Sequence, residues 1–246
     1  MADIDFSKLF HQSSKNILKG RRDTAKDFVP PAEWLTTYYK TYSRYPRIRL
    51  PRLSEKSADF FDVLKNRRSQ RDFSERGLTR SEISDILGYG CGLLQILLSD
   101  GRPRRSYPSA GGRYPVETYL MNMRSSDELS EGLYHYHVRR HDLELLRKKN
   151  FTAEERKNFF TDDFIKTAGA VLLFTAVFWR NQDKYGERGY RYILFEAGHI
   201  GQNIYLLSSA LGLKCCVVGT HDKEVESALD IDGIGESFLY AIALGT

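Results

Sequence analysis

Two stretches of this chain combine residue types that can hold an anion and face a flat ring. Arg67-Arg68-Ser69-Gln70-Arg71 places guanidinium groups and a hydroxyl within five residues, just before Phe73. Guanidinium offers paired donors that match phosphate oxygens, and a hydroxyl can fill a remaining oxygen. A solvated basic turn is the alternative for the same residues. Pro108-Ser109-Ala110-Gly111-Gly112-Arg113-Tyr114-Pro115 is a run of small residues bounded by prolines. Such a loop is rigid, and where no side chain intervenes its backbone can approach a planar ring. An ordinary turn before a strand has the same composition.

Other chemistry-bearing residues read as structural. His135, His137 and His141 are spaced like a metal set, yet alternation along a strand places His135 and His137 on one outward face and Tyr134 and Tyr136 on the other. No metal is expected. Glu196, His199 and Asn203 share a helical stripe, where a histidine is more often hydrogen-bonded within an interface than a ligand. Cys215-Cys216 starts a strand and fits small hydrophobic packing. Gly88-Tyr89-Gly90-Cys91-Gly92 lacks the preceding strand and the Gly-Lys-Ser/Thr ending of a phosphate loop, and its glycines should weaken the end of the helix before it.

The elements that must position these residues have readable signals. Residues 1–52 are expected to form an arm interrupted by Pro30, Pro31, Pro46 and Pro51, pinned by Trp34, Tyr38, Tyr39, Tyr42 and Tyr45 to the body or to a second subunit. Residues 53–246 are expected to form the main domain. A short amphipathic helix is predicted over 57–67, and a second starts at the capping box Thr79–Glu82. Strands are predicted over 116–123, 132–138, 142–146, 170–178, 214–218 and 238–244. Between the last three lies a helix over 187–211, with a 3.6-residue period from Tyr190 to Leu211. Gly198 and Gly201 cost helix propensity unless another backbone packs against them, which suggests a subunit interface. Strands mixed with helices give the class α+β.

Bulk composition excludes several classes. Hydrophobic residues are 41% and charged residues 28% of 246, ordinary values for a packed domain. The net charge of +5 is spread over short clusters at 19–22, 44–52, 67–71 and 102–105, without nucleic-acid motifs beside them, so no nucleic-acid partner is expected. Three cysteines form neither a disulfide framework nor a zinc set, which suits a reducing cytoplasm. The N-terminus lacks the apolar core of a secretion signal, and the apolar run 168–179 is too short for a bilayer.

Arg-Arg-Ser-x-Arg-x-Phe at 67–73 followed by Pro-Ser-x-Gly-Gly-x-x-Pro at 108–115 resembles the nitroreductase flavoprotein superfamily. More narrowly, the chain is similar to the SagB-type, or McbC-like, thiazole/oxazole dehydrogenases. Four further passages agree in order: 10–15, 134–136, 184–192 and 196–203. The resemblance implies a nitroreductase-like fold with an antiparallel-rich mixed sheet flanked by helices, and FMN bound at the interface of an intertwined homodimer. It matches Arg67 and Ser69 to the flavin phosphate and Arg71 to the pyrimidine edge, with Arg68 among the cofactor-binding residues. Ser109, Gly111 and Gly112 match a loop from the other subunit, and Val218 and Gly219 a segment whose amide faces flavin N5. Relatives often continue past the last strand into a basic residue that touches the phosphate. Here Gly245-Thr246 follows directly, so Arg67, helped by Arg113 or Lys214, would carry that charge.

Lys184-Tyr185, in the loop before the long helix, matches the pair that separates azole-forming members from ordinary nitroreductases. Making an aromatic azole requires a general base, and free Lys and Tyr titrate near 10, so the site must lower one of them. Lys184 would hold charge while Tyr185 takes the proton. The implied partners are a modified precursor peptide and a cyclodehydratase. A general NAD(P)H-dependent nitro- or ene-reductase and a non-catalytic docking subunit are the rival readings.

Overall fold

The segment Ala170–Val177 is apolar or small at almost every position, so it cannot alternate between core and water and must be covered on both faces. The computed structural model, which describes residues 6–15, 29–97, 101–126 and 129–246, buries all of it at the centre of a seven-stranded sheet. The basic cluster at 19–22 lies outside the described residues.

The helices are α1 (Phe6–Ser13), α2 (Ala32–Leu35), α3 (Phe60–Asn66), α4 (Arg80–Cys91), α5 (Ala153–Phe159), α6 (Trp179–Tyr185), α7 (Arg188–Leu211) and α8 (Asp222–Leu229). The strands are β1 (Arg47–Arg49), β2 (Leu93–Leu97), β3 (Pro103–Arg105), β4 (Val116–Asn122), β5 (Gly132–His137), β6 (Asp142–Lys148), β7 (Ala170–Val177), β8 (Lys214–Val217) and β9 (Glu236–Gly245). The main sheet runs β1-β6-β5-β4-β7-β9-β8 with antiparallel neighbours throughout, and β2 and β3 form a separate hairpin. The class is α+β, as expected, and the main sheet is antiparallel rather than mixed among the described strands.

Two apolar cores follow from the strand period of two. Leu120, Leu172, Phe174 and Ile242 point to the face covered by α4 and α7. Tyr119, Met121, Leu173 and Ala241 point to the opposite core, which includes Val225 and Leu229 of α8. Each such large side chain contributes about 1.5–3 kcal/mol on leaving water. The Thr79–Glu82 capping box is formed in both directions and fixes the start of α4.

Several expectations change in the structure. Helix α4 continues through Gly88 and Gly90 to Cys91 rather than failing there, because Leu53 and Ile204 press against these two glycines and leave no room for a Cβ. At Gly201 the close neighbour is the Tyr240 ring, 2.8 Å from where a Cβ would stand, rather than a backbone; Gly198 faces open space within the chain. The arm carries α1, α2 and β1, and β1 joins the main sheet through β6. Its aromatics reach the chain's own body: Tyr38 meets Trp179 edge-on at 4.8 Å, and Tyr42 meets His135 at 5.1 Å. No helix of the described residues is long and apolar enough to cross a membrane.

Candidate functional site

The glycine loop is held from three sides. Gly111 and Gly112 have φ of +66° and +62°, in the left-handed region that only glycine enters without strain. Tyr114 also sits at φ +49°, a strained conformation for an aromatic residue. Its surroundings enforce it: the Tyr114 hydroxyl accepts from Arg105 N at 3.1 Å, and its own amide donates to Ser109 Oγ at 2.9 Å. Arg102 Nη1 donates to Gly111 O at 2.8 Å.

Lys184 and Tyr185 stand against this loop. They form the last turn of α6 rather than a loop, because Phe178 carbonyl oxygen starts a helical turn and Gly186, at φ +56°, ends it. A Cβ on Gly111 would lie 2.7 Å from the Tyr185 hydroxyl and 3.4 Å from Lys184 Nζ, so the bare backbone there is what admits both groups. The Lys184 ammonium lies 5.5 Å from both the Trp34 and Tyr185 ring centres, and Tyr185 meets Tyr192 of α7 edge-on at 5.1 Å. Burial pushes the Tyr185 phenol above its ordinary 10.0, against the opposing pull of Arg113 and Arg102. The expected lowering by a neighbouring cation is therefore outweighed by desolvation.

The basic cluster assembles elsewhere. Arg67 caps α3 and lies over the Tyr205 ring at 5.3 Å. Ser69 Oγ is 3.2 Å from the Tyr205 hydroxyl, which accepts from Val217 N at 3.0 Å, and Gln70 N donates to Cys215 O. Tyr205 thus ties the cluster to β8. Arg71 is exposed and lies over Phe164 at 5.8 Å. Arg68 turns back to donate to Lys65 O and Arg67 O, satisfying carbonyls at the end of α3. Lys214 pairs with Asp72, and the buried Arg113 donates to the carbonyls of Arg180 and Glu33, so both proposed helpers have other partners. The amides of Val218 and Gly219 are also engaged, with Ala241 O and the Asp162 carboxylate. An N5-facing role for Gly219 requires Asp162 to let go.

The two halves lie far apart within one chain. Tyr192 marks the glycine-loop half and Tyr205 the basic half, and the thirteen-residue interval along α7 corresponds to about 20 Å at the helical rise.

Sequence reasoning placed the histidines on an outward face, and the structure buries His135 completely. Residues of the arm cover that face: Tyr42 N donates to Glu144, and His135 bridges Glu144 at 2.7 Å and Glu117 at 3.2 Å. Glu117 in turn meets Arg180 at 2.5 Å. His141 instead contacts Ser84 and Tyr136. No cluster able to hold a metal ion is found among the described residues. Glu117, the one charged residue of the fully buried strand β4, was the signal for this network.

Glu196 was also undervalued. It is buried beneath the glycine loop, where desolvation raises its carboxyl to about 7 despite Ser109, Arg105 and the Val116 amide. His199 of the same stripe is exposed. Asn203 Nδ2 donates to Ser106 O at 3.3 Å, joining α7 to the segment before the loop.

Comparison with known proteins bears on the family and the fold. Residues 64–246 match the family described as "Nitroreductase family". A nitroreductase-type protein of Methanocaldococcus jannaschii is 36% identical over 185 residues, 75% of this chain and 89% of its own. The microcin B17-processing protein McbC of Escherichia coli is 31% identical over 137 residues, 54% of this chain and 50% of its own; the chain thus matches only half the length of that relative. The E. coli microcin synthetase McbBCD complex, solved with truncated pro-MccB17 bound, contains a chain that superposes with a TM-score of 0.61 at 22% identity, covering 98% of this chain and 91% of that one.

Proposed function

The chain belongs to the nitroreductase family of oxidoreductases, and on that premise we propose that it is an FMN-dependent dehydrogenase that oxidises a peptide-borne thiazoline or oxazoline to the azole. The observation that carries this reading is the approach of Tyr185 Oη and Lys184 Nζ to the side-chain-free surface at Gly111. It is supported by the likeness to McbC, a microcin-processing protein.

The residues present fit a flavin. Gly111 and Gly112 make a loop without side chains, with Tyr185 and Lys184 against Gly111, that a flat ring could border, while Arg67, Ser69 and Arg71 offer donors for phosphate and for charge at the pyrimidine edge. Arg68 would act by shaping the end of α3, and Val218 and Gly219 would border the ring from β8. FMN, when bound, supplies the two-electron acceptor for the hydride that leaves the azoline. Tyr185, as phenolate, takes the ring proton, and the Lys184 ammonium stabilises the negative charge beside it. Ser109 and Glu196 hold the loop against which the substrate ring lies.

The reading includes a homodimer in which the basic half of one protomer meets the glycine loop of its partner. Exposed Phe60, Phe61 and Leu64 on α3, with Leu194 and Phe195 on the neighbouring α7, supply an apolar surface for it. A cyclodehydratase partner and a cytoplasmic setting complete the reading; the free cysteines, all buried, suit a reducing compartment.

A second reading is favoured by one observation, the burial that keeps Tyr185 protonated. In a general NAD(P)H-dependent nitro- or ene-reductase this phenol would donate a proton instead of taking one. The experiment that separates them is anaerobic spectroscopy of the FMN-loaded protein. Bleaching of the flavin band by a thiazoline peptide, with azole as product, supports the dehydrogenase. Bleaching by NADPH with none by the peptide supports the reductase.

A further inference from the structure

Among the described residues the sheet ends at β1, whose outer edge combines unpaired backbone and positive charge. The pairing register sets Arg47 opposite Glu144, Ile48 opposite Leu143 and Arg49 opposite Asp142. Leu145 N donates to Pro46 O and Leu50 N donates to His141 O, so the inward-bonding positions are 46, 48 and 50. The backbone N–H and C=O of Arg47 and Arg49 consequently point away from β6, toward the open edge. Among the described residues none bonds to them.

Arg47 and Arg49 are exposed, and the same concavity is lined by Arg140 and Asp142. Arg140 is already matched by Asp142 at 3.0 Å and Glu144 at 2.6 Å. Arg47 and Arg49 face Glu144 and Asp142 across the strand pair, yet no ion pair within 4 Å joins either arginine to an acid among the described residues, since Arg140 takes both carboxylates. A second copy of this chain does not suit the edge, since β1 laid against β1 would set arginine against arginine. An acidic strand does.

A route leads from this edge to the candidate site. Strands β1 and β4 are three sheet positions apart, about 14 Å at the usual strand spacing, and the glycine loop immediately precedes β4. The β5–β6 turn lies at that same end of the sheet, since β4 and β5 are antiparallel. Next to it, Tyr39, Arg139, Leu93, Pro103 and Arg102 line a cleft, and Arg102 is the residue that holds Gly111 O. About five extended residues cover the distance.

We propose that the open edge of β1 docks an acidic, extended segment of the substrate peptide as an added strand, from which the peptide runs past the β5–β6 turn to Lys184 and Tyr185. This rests on the reading of the substrate as peptide-borne. Outward main-chain groups of Arg47 and Arg49 give the added strand its hydrogen bonds, and their guanidinium groups select acidic side chains.

The test uses fluorescence anisotropy of a labelled octapeptide of alternating Asp and Val, with the Lys-Val octapeptide as control. The acidic peptide is expected to bind and the basic one to fail. Replacing both arginines by Gln (Arg47→Gln with Arg49→Gln) should weaken binding at least tenfold at low salt and flatten its salt dependence. Arg49→Pro removes an outward N–H that bonds nothing within the sheet, and Pro is tolerated there. It should bind several-fold more weakly than Arg49→Gln, which lacks the same charge but keeps the N–H. Equal binding of both octapeptides, or equal affinity of the Pro and Gln variants, overturns strand addition; the arginines would then only guard an exposed edge. Binding is read without cofactor or turnover. Azoline oxidation that persists when the acidic peptide fails to bind defeats the docking proposal alone, and docking without azoline oxidation defeats the functional reading alone.

Discussion

Gly111→Ala should damage catalysis far more than it damages the fold. The backbone at Gly111 has φ +66°, where an L side chain costs about 1–2 kcal/mol. The new methyl would stand 2.7 Å from the Tyr185 hydroxyl, roughly 0.7 Å inside ordinary contact. The phenol is the far end of a side chain that can swing, so the clash is relieved by moving the very group the site needs. Misplacement on that scale costs on the order of 10²-fold in rate, whereas the backbone strain lowers the melting temperature by only about 2–4 °C per kcal/mol at this chain size. Gly212→Ala is the control: its φ of +71° carries the same strain, and nothing lies within 4 Å of its Cβ position. Single-turnover oxidation of a thiazoline peptide and thermal melts on both variants should show equal stability loss and unequal rates. In a double-mutant cycle, Tyr185→Phe should therefore leave the Gly111→Ala stability loss unchanged, since the phenol relieves the contact by moving. A Gly111→Ala enzyme with the wild-type rate would refute the placement of Tyr185 at the reacting ring.

Three further outcomes follow from the same structure. Because burial raises the Tyr185 phenol above 10.0, the base form is scarce at neutral pH, and kcat/KM should rise about tenfold per pH unit from pH 7 to 9; a flat or falling profile excludes phenolate as base. Glu196 is raised from 4.5 to about 7 in the fold, so the native state binds its proton more tightly. Stability should therefore fall by roughly 3 kcal/mol between pH 4.5 and 7 and level off above, and Glu196→Gln should remove that part of the decline in urea titrations at pH 5 and pH 8. Arg180→Leu leaves Glu117 buried without its 2.5 Å partner, and should destabilise by about 3–5 kcal/mol in urea unfolding, with Arg180→Lys recovering part of the loss.

Legibility in the sequence followed the strength of local signals. The long period from Tyr190 to Leu211 and the apolar run at 170–177 each located an element within a residue or two, and the capping box at Thr79 located the start of α4 but not its end, because these patterns are enforced by one-dimensional spacing. Short elements escaped. β1 has three residues and exists only because β6 offers it a pairing edge, and α6 is a single helical segment whose polar residues resemble a loop. The candidate site was legible as a set of motifs but not as a charge environment. His135 looked solvent-facing until Tyr42, more than ninety residues earlier, came to cover it. Tyr185 seemed to need a lowered pKa, and the degree of burial that raises it is a property of tertiary packing alone. Likewise, the amide of Gly219 fitted a flavin contact by position, and only the fold brings Asp162 to it.

The most direct test of the account is complementation between two inactive variants, one with Arg67→Ala and Ser69→Ala, the other with Tyr185→Phe. If each site joins the basic half of one protomer to the glycine-loop half of its partner, a mixed dimer holds one intact site and one doubly damaged site. Co-expression should then restore about a quarter of the wild-type azoline oxidation, as random pairing in a two-fold dimer requires. Co-expressed variants that stay as inactive as either alone, while forming mixed dimers by affinity-tag pulldown, would contradict a shared site.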